Sequence, residues 1–139
     1  MSGYTGQCLC GEIKYQVDEI GSKMAHCHCS MCRRFHGAAF ATFGEVKVEH
    51  FHWLQGEENL AVYQAPNKTK RKFCAHCGSS LIFEPSGDNH EVVEFSLATL
   101  DPSPGAMPRL IPDAHIYTST QVEWLELDDQ LPKFSLGRE

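Results

Sequence analysis

The stretch HCHCSMCRR, residues 26–34, sets Cys27, Cys29 and Cys32 within six consecutive positions, with Arg33 and Arg34 directly behind them. Thiolates are soft metal ligands, and cysteines spaced this closely can turn their sulfurs onto one ion through a tight bend of chain. Two further clusters follow the same logic: Cys8 and Cys10 in CLCGE, and Cys74 and Cys77 in CAHCGS. The chain holds seven cysteines. An odd number in short-range clusters does not suit a disulfide framework and points to metal binding in a reducing compartment.

Zinc takes four ligands in a tetrahedron, so seven thiols close one site and leave three for a second. Spacing alone leaves the partition open. Cys8 and Cys10 pair plausibly with Cys74 and Cys77, but Cys29 and Cys32 with Cys74 and Cys77 would also make a ribbon-type site. The vacancy belongs to a histidine, to water or to a substrate. His26, His28, His36, His50, His52, His76, His90 and His115 are the candidates. Of these, His28 and His76 stand between cysteines, where a tight turn directs the side chain away from the metal. Gly11 and Gly78 follow their clusters directly, as expected where the chain must adopt φ > 0 so that backbone N–H groups face the sulfurs.

Three protein ligands and an open position are the arrangement of a catalytic zinc. Three thiolates around Zn²⁺ leave roughly one net negative charge, so the ion is a weak activator of water. An external thiol can still bind there as thiolate and act as a nucleophile. The fitting reaction is addition of that sulfur to a small electrophile such as an aldehyde carbonyl, giving an S-hydroxymethyl adduct. Its reverse is carbon–sulfur bond cleavage. Arg33 and Arg34 could offset the charge or hold a carboxylate of the thiol.

Strands must position these loops. Period-two or apolar runs at residues 12–17, 38–43, 45–50, 60–65, 70–73, 80–84, 91–100 and 114–119 read as short strands separated by turn residues. Gly44 reads as a bulge or bend between two of them. FHWLQ, residues 51–55, is the one short helix candidate apart from turns after the cysteine clusters. The fold class is therefore mainly β, in a single domain over residues 1–139, with no internal repeat or linker.

Composition narrows the function further. The chain is 42% hydrophobic and 22% charged, ordinary for a globular domain. It has no apolar run of the ~20 residues a membrane span needs and no basic, apolar leader at its start, which together with the cysteine usage predicts a cytoplasmic protein. The formal net charge is −6 and falls to about −9 once both thiolate–zinc sites are counted, which disfavours nucleic acid as a partner. The basic run NKTKRKF, residues 67–73, is a local exception that reads as strand-edge protection. A non-catalytic zinc module for protein or nucleic-acid interaction, or a zinc–thiolate redox switch, are the alternative readings.

Four segments in order, GQCLCGEIKY, AHCHCSMCRRFHGAAFA, YQAPNKTKRKFCAHCGSSLIF and HIYTSTQVEWLELDDQLPKF, resemble the glutathione-dependent formaldehyde-activating enzyme family, which includes the centromere protein V group. The resemblance runs from about Thr5 to Phe134 and closes on a D-x-L-P-x-F motif at Asp129–Phe134. It implies an Mss4-like fold of folded antiparallel sheets with zinc at knuckle loops, and two zinc ions per chain. It implies that Cys8, Cys10, Cys74 and Cys77 hold a structural zinc. Cys27, Cys29 and Cys32 then hold a second zinc whose coordination is completed by non-protein groups. The implied activity is that of a carbon–sulfur lyase acting on glutathione, or a similar small thiol, and formaldehyde or another small electrophile.

Overall fold

The computed structural model describes residues 3–87, 91–102, 105 and 108–138. Ten strands and one short helix stand among them. Strands β1 (Tyr4–Gln7), β2 (Lys14–Val17) and β5 (Phe51–Gln55) form an antiparallel three-stranded sheet in the order β1-β2-β5. The second sheet has seven strands. From one edge it runs β10 (His115–Ile116), β3 (Met24–Cys27), β4 (Ala41–Lys47) and β9 (Val92–Ser96). It continues through β8 (Ser80–Glu84) and β7 (Lys70–Cys74) to β6 (Leu60–Gln64) at the far edge. Its pairs are antiparallel except β10 on β3, which is parallel. Helix α1 (Ser30–His36) follows β3. The mainly β expectation holds, and no helix among the described residues is long and apolar enough to cross a membrane.

The two faces of the large sheet do different work because side chains alternate along each strand. One face packs on the small sheet, where Tyr15, Val17, Val46, Leu81 and Phe95 are buried together. Tyr15 stacks on Phe51 at 4.9 Å and meets Phe95 edge-on at 6.1 Å. Aromatic pairs of this kind add ~0.5–1.5 kcal/mol beyond area burial. The other face carries a smaller cluster of Cys27, Cys32, Ala41 and Phe43, with Phe83 and Ile116 packed against it.

Three local expectations change in the structure. FHWLQ is strand β5, paired with β2 through Tyr15↔Trp53 and Val17↔Phe51. Phe51 and Trp53 turn toward Tyr15 while His52 and Leu54 stay exposed, a period of two. Gly44 lies inside an unbroken β4 opposite Phe95, and a Cβ there would stand 3.0 Å from the Phe95 ring. The glycine makes room for an aromatic ring and bends nothing. The run at 114–119 yields only β10, because Tyr117 takes a left-handed conformation (φ 56°) that ends the strand.

The C-terminal motif is tied to this edge. His115, 2% exposed, donates its backbone N–H to the Pro132 carbonyl and accepts from the Phe134 N–H, both at 2.9 Å. Its ring bridges His28 Nε2 at 2.9 Å and Asp129 Oδ2 at 2.8 Å. The His115 hydrogen bond, helped by the Leu131 N–H and the Lys133 ammonium, holds the Asp129 carboxyl down at about 2. A carboxyl depressed on folding contributes stability above its unfolded pKa and loses it as pH falls toward the folded one. Asp129→Asn is expected to lower Tm by a constant amount from neutral pH down to about 5, with the gap narrowing below about 4. Thermal denaturation of both proteins across that range checks it.

Candidate metal centres

The sulfurs of Cys8, Cys10, Cys74 and Cys77 lie within 4.8 Å of one another. Cys8 and Cys10 sit on the β1–β2 loop, Cys74 ends β7, and Cys77 lies on the loop that leads to β8. The cluster therefore joins the small sheet to the large one. Cys10 is 3.6 Å from Cys8 and 3.8 Å from Cys74, sulfur to sulfur. A tetrahedron with metal–sulfur bonds of ~2.3 Å has edges of ~3.8 Å, whereas a disulfide needs ~2.05 Å. The spacing fits a metal and excludes a disulfide. Both loops are knuckles: the Ile13 N–H points at Cys8 Sγ at 3.3 Å, and Gly11 and Gly78 have φ of 80° and 83°.

A second cluster gathers Cys27, Cys29 and Cys32, also within 4.8 Å. Cys27 ends β3, and Cys29 caps the N-terminus of α1, its sulfur accepting the Cys32 N–H at 3.2 Å. Cys32 is buried one turn on, with its sulfur 3.4 Å from that of Cys27. Three thiols this close cannot all ionise unaided. Hydrogen bonds from Cys27 and Cys32, the Cys32 N–H and the Arg71 charge push Cys29 far down, while its neighbours push Cys27 up. A cation among them is what would allow three thiolates together, so the donor set fits a soft divalent metal.

This trio lies in the wall of a cavity of about 400 Å³. The floor comes from the second face of the large sheet: Phe43 on β4, Phe83 on β8, Glu94 on β9 and Arg71 on β7. Arg71 is 3% exposed, stacks its guanidinium on Phe83 (4.8 Å) and donates Nη2–H to Cys32 Sγ at 3.6 Å. Its Nη1 is buried without a hydrogen-bond partner. A desolvated guanidinium with a free donor, beside three thiols, supplies positive charge where thiolates would sit.

The structure brings together all seven predicted cysteines and settles their grouping. Arg33 and Arg34 are not among the lining residues of the cavity. Arg33 is half-buried with its Nε unpartnered, and Arg34 is exposed, lining an adjoining cavity with Met31 and Arg71. In the sequence Arg71 stands out only as part of the basic run at 67–73. The alternation of Lys70, Arg71 and Lys72 was the available signal, since it puts Arg71 on the opposite face from both lysines. That run is also weaker as a basic patch than its composition suggests, because Arg71 is buried and Lys72 pairs with Glu84 at 2.7 Å. Among the described residues no histidine joins either cluster. His28 turns away to His115, His26 to Thr42 at 2.8 Å, and His36 to Ser80 at 3.3 Å. His76 is exposed, and His90 lies outside the described residues.

Fold and sites define a mainly β protein with two thiol clusters able to hold metal, one closed by four sulfurs and one of three set in a cavity wall. Residues 3–120 match the family model described as glutathione-dependent formaldehyde-activating enzyme, and the chain belongs to that family. A Halomonas elongata protein provisionally named as such an enzyme is 26% identical over 135 residues, spanning 90% of this chain and 81% of that protein. An uncharacterized lyase of Schizosaccharomyces pombe is 30% identical over 83 residues, 60% of this chain and 58% of the yeast protein's own length. The crystal structure of a Rhodobacter sphaeroides protein superposes with a TM-score of 0.60 at 28% identity, covering 73% of this chain and 91% of that one.

Proposed function

We propose that the chain is a zinc-dependent enzyme of carbon–sulfur chemistry, condensing glutathione or a similar small thiol with formaldehyde or another small electrophile, and acting in reverse as a lyase. Two zinc ions per chain are part of this reading. Cys8, Cys10, Cys74 and Cys77 hold the structural one, and Cys27, Cys29 and Cys32 the second. The observation that carries it is the trio of thiols in the wall of a cavity, with no fourth protein donor beside them among the described residues.

Zinc held by these three cysteines would keep an incoming thiol as its thiolate near neutral pH. The protein's own residues supply the rest. Arg71 offsets the negative charge of the trio and offers its unpartnered Nη1–H to an anionic group. Phe43, Phe83 and Ile116 keep the reacting atoms out of bulk water, which strengthens each charge interaction there. Arg34, which lines the adjoining cavity, would receive a carboxylate of a longer thiol.

The test is a cobalt-substituted protein titrated with glutathione while the sulfur-to-metal charge-transfer band is followed. The band is expected to grow as a site of three thiolates becomes one of four, and formaldehyde added afterwards should yield S-hydroxymethylglutathione. Binding of glutathione should weaken with salt if Arg34 takes a carboxylate. A band that does not move with glutathione would mean that the second site is closed and would overturn the proposal.

A further inference from the structure

Glu94 is the acidic residue of the cavity that holds the three cysteines. It belongs to β9, whose Val93 and Phe95 face the main core, so alternation turns Glu94 to the opposite, cavity-lining face. It is half-buried. Among the described residues no side chain hydrogen-bonds or ion-pairs with its carboxyl. Directly across the ladder on β4 stands Glu45, paired with it Cα to Cα. Two carboxylates opposite each other destabilise a sheet, and a fold selected only for stability has no reason to keep them in a half-buried place.

We infer that Glu94 carries the proton of the addition reaction: its carboxylate takes the proton of the incoming thiol, and its carboxyl returns that proton to the carbonyl oxygen. This rests on the thiol-addition reading above. The S–H bond breaks toward Glu94, and the sulfur's electron pair forms the bond to carbon. The carbonyl π pair moves onto oxygen, which takes the proton back from Glu94. The residue ends as the carboxylate it began as, and no oxidant or reductant is needed. In the lyase direction the same proton travels from hydroxyl to sulfur.

The surroundings suit a carboxyl that must hold a thiol's proton. Burial raises its pKa first, the Glu45 charge from β4 adds to that, and the Cys29 thiolate ahead of α1 adds a little more. Arg71 on β7 pulls the other way, and β8 presents the uncharged Phe83. In the metal-free protein the balance lies at about 7. An ordinary carboxyl near ~4 would release the proton at once, whereas one near 7 stands within reach of a thiol at ~8.5 and exchanges protons efficiently at neutral pH.

Calorimetry of glutathione binding to the zinc-loaded protein at pH 7.5, in buffers of different ionisation enthalpy, counts the protons released. A carboxyl near 7 is largely ionised at pH 7.5, and the charge of the incoming thiolate raises its pKa further. The parent should therefore take up part of the thiol's proton and release measurably fewer protons than Glu94→Gln, which should release close to one. Zinc content should match the parent. The rate of S-hydroxymethylglutathione formation should fall by ~10²-fold or more, and the rise in rate through pH ~7 should disappear. Glu45→Gln lies outside the cavity and keeps the carrier, so it should move that rise to lower pH while leaving metal content unchanged. Equal proton release by parent and Glu94→Gln, or a Glu45→Gln profile that does not shift, would overturn the role of Glu94. Glutathione that binds with the predicted proton count but forms no adduct with formaldehyde would overturn the reaction and leave Glu94 as the proton acceptor of thiol binding. A parent that binds neither glutathione nor 2-mercaptoethanol would overturn both.

Discussion

Cys77→Ser is expected to cost the protein its fold: little soluble material, no cooperative melting transition, and loss of bound zinc from the first cluster. Cys77 is half-exposed, so exchanging sulfur for oxygen there costs little in packing. What would be lost is one of four sulfurs able to hold the metal. The cluster spans the β1–β2 and β7–β8 loops and so fastens the small sheet to the large one. A structural zinc site contributes ~10–16 kcal/mol in small modules, as much as the ~5–15 kcal/mol that keeps a whole domain folded. Circular dichroism, thermal denaturation and metal analysis of the purified variant check it. A Cys77→Ser protein that melts with the parent would show that this cluster does not hold the fold together.

Cys29→Ser is expected to do the opposite, keeping the fold and removing the function. Cys29 caps α1 through its side chain, and serine is among the residues that cap helices best, so the Cys32 N–H keeps an acceptor. The neighbouring Cys27 and Cys32 stay buried against Ala41 and Phe43. With two sulfurs in place of three, the second metal should be lost, and with it all thiol-dependent activity. The readouts are one zinc per chain instead of two, a Tm near the parent's, and no S-hydroxymethylglutathione above the uncatalysed background. If Cys29→Ser aggregates as Cys77→Ser does, the second metal is structural as well, and the division of labour between the two clusters fails.

The metal-binding capacity was legible in the sequence because a knuckle is a local object. Its ligands are two or three residues apart and its turn needs a glycine, so Cys74, Cys77 and Gly78 announce themselves without reference to the rest of the chain. Mainly β structure was legible for the same reason, since the alternation along residues 12–17 or the short apolar run at 81–83 is a property of a few neighbours. The sequence had no local signal for which knuckles meet. Cys29 and Cys32 could have faced Cys74 and Cys77, and it is the packing of the small sheet on the large one that carries Cys8 and Cys10 there instead. FHWLQ became a strand because β2 offers Tyr15 as a partner for Phe51 and Trp53, a long-range contact that outweighs local preference. The cavity was the least legible part. Arg71 and Glu94 lie far from the cysteines in sequence, on strands whose register puts both on the cavity face, whereas Arg33 and Arg34, adjacent to Cys32 in sequence, are turned away from it by the helix that Cys29 begins. Ligand spacing along the chain determines that a metal can be held; strand register and sheet packing decide which charges stand beside it.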